Sequence, residues 1–97
     1  MASVQTKTGY QGKTGQEIYE AALKAIPNAG LQVWKKRELA QLVLGVGQHE
    51  GEEVRCNIVV SMVDGNVTIS AEGDNLGEAG LNQVAARLTE ELDKILI

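Results

Sequence analysis

Apolar and polar residues alternate most strictly from residue 54 to residue 63. Val54, Cys56, Ile58, Val60 and Met62 fall on one side of an extended chain, and Arg55, Asn57, Val59, Ser61 and Val63 on the other. A period of two is the mark of a strand with one buried face. Asp64-Gly65 follows, a dipeptide suited to the two positive-φ positions of a type I′ hairpin turn. With that turn Val63 opposes Asn66, Met62 opposes Val67 and Val60 opposes Ile69, so the apolar faces of the two strands coincide. Thr68 and Ser70 then face outward.

Two other stretches follow the helical period. Thr14-Gly15-Gln16-Glu17 has the T-x-x-E pattern of a capping box, and Ile18, Ala21, Ala22, Ala25 and Ile26 follow at helical spacing. Glu20 and Lys24 are spaced for an i,i+4 pair on the wet side. Pro27-Asn28-Ala29-Gly30 ends the helix. Near the C-terminus Asn75-Leu76-Gly77-Glu78 offers the same box with asparagine as cap. Leu81, Val84, Ala85, Leu88, Leu92 and Ile95 form one apolar stripe behind it, and Glu90 pairs with Lys94 on the other side. Gly80 costs this helix about 1 kcal/mol against alanine, which predicts a place where backbones meet.

The remaining segments read as strands. Ser3 to Thr8 alternates weakly. Leu31 to Lys36 is a second strand. Leu39 to Val46 is a third, with Ala40, Leu42, Leu44 and Val46 on one face, and Gln48 to Glu53 is the polar tip that follows it. The order β-α-β-β-β-β-α, with consecutive hairpin connections, predicts an α+β two-layer sandwich: an antiparallel meander sheet with two helices packed on one face. Its 97 residues suit a single domain, 1–97. In element order alone the chain is similar to small helix-on-sheet domains of the helix-grip kind. The pattern does not say whether the first strand lies at an edge or pairs centrally. The sheet face without helices is predicted to carry Val43, Val59 and Val63 among polar residues. Trp34, of opposite parity to Leu31 and Val33, is expected there too. Such a face often finds a partner.

Composition narrows the function. The chain has one cysteine, Cys56, and one histidine, His49, which excludes an intramolecular disulfide and a multi-cysteine zinc site. The net charge of −4 opposes broad nucleic-acid affinity. No run approaches the ~18 apolar residues of a membrane span, and Met1 to Lys7 is too polar for a signal peptide, so the expected compartment is the cytoplasm.

Several short patterns imitate binding motifs. Gly12-Lys13-Thr14 is similar to the end of a phosphate-binding P-loop, G-x-x-x-x-G-K-[ST], but the first glycine would stand at position 7, which is Lys7. Gly12-Lys13-Thr14-Gly15-Gln16-Glu17-Ile18 resembles the GxxG loop of KH domains, which implies a loop clamping a nucleic-acid backbone. That likeness covers seven residues, and only eleven precede the loop, where a KH fold sets a helix. Gly45-Val46-Gly47 starts like a dinucleotide fingerprint, but Glu50 stands in place of the third glycine and a strand follows. His49 with Glu50, Glu52 and Glu53 has acceptable metal-ligand chemistry on a hairpin tip, where a solvated loop is the simpler reading. Cys56 is expected inward as a structural thiol. Lys35-Lys36-Arg37, beside Trp34, is the one basic run.

No catalytic constellation and no cofactor motif emerges. The leading expectation is a noncatalytic binding module that self-associates as a homodimer through its open sheet face. Trp34, Lys35, Lys36, Arg37, Val43, Val59 and Val63 are the candidate contact residues. The alternative is a small-molecule binder with its pocket between the C-terminal helix and the sheet, near Trp34, Tyr10 and Tyr19. A nucleic-acid module using the Gly12–Gly15 loop ranks lower.

Overall fold

A computed structural model describes residues 2–61 and 65–97. The elements are β1 (Ala2–Gly9), α1 (Gly15–Asn28), β2 (Gln32–Arg37), β3 (Leu42–His49), β4 (Glu52–Val60), β5 (Asn66–Gly73) and α2 (Glu78–Leu96). The strands form one antiparallel sheet in the order β1-β5-β4-β3-β2. Both helices pack on the same face, α1 over β2, β3 and β4, and α2 over β5 and β1. This is the α+β sandwich that the pattern predicts. β1 takes the edge beside β5, so the chain's first two strands occupy opposite edges and α1 carries the chain across the sheet between them.

Local chemistry accounts for the helix ends. The Thr14 hydroxyl accepts from the Glu17 amide at 3.1 Å and caps α1. Gly30, at φ +86, turns the chain after α1, and the Leu31 amide closes on the Ile26 carbonyl at 3.1 Å. α2 differs from expectation at its start. Its cap is Gly77, with no side-chain hydrogen bond, because the helix begins two residues too late for Asn75 to reach it. Nor does Gly80 mark a meeting of backbones; the side chains of Leu76 and His49 cover it. The buried stripe runs Leu81, Val84, Ala85, Leu88, Leu92 and then Leu96, leaving Ile95 38% exposed. A step of four from Leu92 keeps to the core face better than a step of three.

The core lies between helices and sheet. Ile18 and Ile26 from α1, Leu81, Leu88 and Leu92 from α2, and Val43, Val54, Ile58, Val67 and Ile69 from the sheet are fully buried. Tyr10, between β1 and α1, is tied to the C-terminal part of α2: its hydroxyl donates to Asp93 Oδ1 at 2.8 Å. Burial first, then the Asp93 carboxylate, raises the Tyr10 phenol well above its usual range, so it stays a protonated donor.

Three sheet details differ from the sequence reading. First, β4 and β5 pair as Val60↔Val67 and Ile58↔Ile69, not Val60↔Ile69. The last described bond of the hairpin runs from the Ser61 amide to the Asn66 carbonyl at 2.8 Å, which sets Ser61 opposite Asn66. Met62, Val63 and Asp64 lie outside the described residues. The slip is two residues, and an even slip leaves every side chain on its face.

Second, β3 starts at Leu42, after a turn in which Gln41 has φ +49, and not at Leu39. Its parity is the reverse of that expected. Val43, Gly45 and Gly47 face the helices, whereas Leu42, Leu44 and Val46 lie on the open face. The glycines are the reason. A Cβ on Gly45 would lie 2.8 Å from Cys56 Sγ and 2.9 Å from Ile26 Cγ2, and one on Gly47 would meet Leu31. α1 and the turn behind it press on the sheet there, and bulk is excluded.

Third, the polar tip is tighter than predicted. β3 and β4 pair as far as His49↔Glu52, and only Glu50 (φ +54) and Gly51 (φ +82) form the turn. Two consecutive positive φ angles suit a type I′ hairpin.

Candidate functional site

The open sheet face follows from the register. Three rows of side chains cross the strands from β1 to β2. The first is Ser3, Glu72, Arg55, Val46 and Gln32. The second is Gln5, Ser70, Asn57, Leu44 and Lys35. The third is Lys7, Thr68, Val59, Leu42 and Arg37. Trp34 is the extra residue of a bulge, since Val33 pairs with Gly45 and Lys35 with Leu44. An unpaired extra residue bends the strand and re-aims its side chain. Trp34 stands on the open face, 65% exposed, as its parity predicts.

The first two rows, from β1 as far as Val46 and Leu44, floor a concavity of about 540 Å³, with Trp34 at one end and Ser3, Val4 and Gln5 at the other. It spans all five strands, about 19 Å at ~4.8 Å per strand. The β2–β3 end is apolar, with Trp34, Leu44 and Val46. The β4–β5 end is polar, with Arg55, Asn57, Ser70 and Glu72. Arg55 stands among three carboxylates: Nε is 3.4 Å from Glu72, Nη1 3.7 Å from Glu53 and Nη2 3.8 Å from Asp74. One guanidinium faces three acids, so this corner carries net negative charge. Asn57, Ser70 and Gln5 differ from it. Their side chains make no hydrogen bond to any described residue.

The structure divides the predicted contact residues. Trp34 and Val59 are on the open face, and Lys35 and Arg37 pair with its residues Leu44 and Leu42. Lys36 pairs with Val43 and has the opposite parity, although it is exposed at the sheet edge. Val43 is not a surface residue; it is fully buried beneath the helices, because β3 is turned over relative to the expectation. Val63 lies outside the described residues. Leu44, Val46, Arg55 and Asn57 are the site residues that sequence reading missed. For the first two the signal was Gly45-Val46-Gly47, which marks the helix-covered face of β3.

The pocket expected between α2 and the sheet is not formed by its three aromatics. Tyr10 and Tyr19 are core residues, and Trp34 is on the opposite face. A groove of about 400 Å³ between β1 and α2 is lined by Thr6, Ala85, Thr89 and Asp93 and touches none of them. The Gly12–Gly15 loop joins β1 to α1, so a strand stands where a KH fold has a helix. His49 Nε2 lies 2.9 Å from Gln83 Oε1 on α2 and 3.6 Å from Glu50. Among the described residues no three metal-ligating side chains converge. Burial pushes the Cys56 thiol up to about 11, so it is neutral at pH 7. Among the described residues no helix is long and apolar enough to cross a membrane.

No protein-family model matches the chain. No curated protein matches it in sequence. Among solved structures it is similar to a TBP-like protein from Parabacteroides distasonis ATCC 8503, at 12% identity and a TM-score of 0.47. The match covers 78% of this chain and 60% of the other, so the chain spans less than two thirds of that protein's length.

Proposed function

We propose that the chain is a noncatalytic binding module that takes a small ligand in the trough of its open sheet face. The observation that carries this is the conjunction of shape and chemistry in one place. The trough's volume, about 540 Å³, falls among those of small-molecule sites, and it joins an apolar flank to a few polar groups without partners. Trp34 is the sole tryptophan and lies at the trough's apolar end, so its fluorescence reports occupancy. Screening a compound library by amide chemical shifts is expected to move Trp34, Leu44, Asn57 and Ser70 together. Trp34→Ala should weaken such a ligand by about tenfold or more, the scale of burying an aromatic ring. If the ligands found shift only residues of α1 and α2, the open face is not the working surface.

Self-association is a second reading, favoured by Trp34 and Val59 standing 65% and 40% exposed on one face. Sedimentation at rising concentration is expected to show a dimer that Val59→Glu weakens. A wild-type monomer throughout ends this reading. Two concave faces meeting would enclose the trough, so a dimer and a bound ligand are compatible.

A further inference from the structure

Taking the trough as the binding surface, we propose that its occupant is an uncharged amphiphile, an aromatic or branched apolar group carrying an amide or hydroxyl head, and that Asn57 selects the head. The row Lys35, Leu44, Asn57, Ser70, Gln5 sets the dimensions. An apolar group over Trp34 and Leu44 leaves a head one to two strand spacings away, about 5–10 Å, over Asn57 and Ser70.

Asn57 sits in the middle of the central strand β4, where asparagine is a poor strand former. It is half-buried between Leu44 and Ser70, and its amide has no partner among the described residues. A valine there would serve the sheet better. An amide held without a partner on the floor of a concavity offers a donor and an acceptor to whatever lies above it.

Charge sets the rest. Asn57, Ser70 and Gln5 are neutral, and the cation of their row, Lys35, stands beyond Leu44 at the apolar end and does not line the trough, so the head's own position offers an ion no counter-ion. The adjoining corner holds Glu53, Glu72 and Asp74 against Arg55 alone, which repels an anion and leaves the guanidinium already engaged.

The test uses two probes with one skeleton, 3-phenylpropionamide and 3-phenylpropionate, titrated into the full chain and followed by amide and side-chain chemical shifts. The amide is expected to move Trp34, Asn57 and Ser70 and to bind about fivefold or more tightly than the carboxylate at low salt. Asn57→Leu, shown folded by its melting curve, should abolish that preference, and Ser70→Ala should reduce it. A structural role alone would not change the ranking of two heads. Equal or tighter binding of the carboxylate overturns the proposal, as does a preference that survives Asn57→Leu. Failure of both probes to move trough residues that other library compounds do move overturns it as well, while the trough stands as the site. If no compound moves those residues, the underlying reading falls first.

Discussion

Ile58→Ala is expected to destabilise the protein by about 2–5 kcal/mol, the range for truncating a large aliphatic side chain in a packed core. Ile58 is fully buried, pairs with Ile69 on β5 and Val43 on β3, and lies under the helices at the centre of the sheet. Two methylene-sized groups and a branch are lost where rigid strands on both sides resist collapse. Against the roughly 5–15 kcal/mol stability of an ordinary domain, that is a large share. The informative control is one residue away. Asn57→Val faces the trough and replaces an unpartnered amide with a better strand former, so it should be neutral or stabilise by up to about 1 kcal/mol. Urea unfolding should be followed by far-ultraviolet circular dichroism, because Trp34 is already 65% exposed and its emission changes little on unfolding. Equal losses from the two variants would mean that β4 does not separate a packed face from an open one.

That contrast also shows how far the chain could be read. The alternation of β4 and the stripe of α2 each repeat one period over enough residues to leave a single interpretation, the Thr14 cap marks the start of α1, and the α+β sandwich follows from them. The slip in the β4–β5 register leaves no mark on the pattern because it is even: a shift of two keeps every side chain on its face. The edge position of β1 rests on which strand lies beside β5, a long-range pairing on which the alternating residues Ser3 to Thr8 are silent. The trough was the least legible part. It needs the bulge at Trp34, the inverted face of β3 and the free amide of Asn57 to coincide, and each of these shows only once neighbours are placed.

The inverted face of β3 gives the second large effect. Size alone puts Leu42, Leu44 and Val46 inward, since larger apolar residues normally fill a core. That rule fails where a helix lies close to a sheet, because the layers then approach only if one of them lacks side chains. Gly45 meets this need: its missing Cβ leaves room for Ile26 of α1 and Cys56 of β4, and the Gln32 carbonyl stands 3.3 Å from where that atom would be. Gly45→Val therefore adds three carbons to a filled space and should cost about 1–3 kcal/mol or more, through displacement of α1. Thermal unfolding measures the cost, and amide shifts along Ala22, Ala25 and Ile26 locate it. Leu44→Ser, next in the chain, should cost far less, because Leu44 is only partly buried on the open face. With the strand turned the other way, the order of the two costs would be reversed. Leu44→Ser would then leave a hole and a lone hydroxyl in the core, and Gly45→Val would place a good strand former on the surface. The ranking of this pair decides which face of β3 the helices cover, and with it whether Leu44 and Val46 belong to the trough.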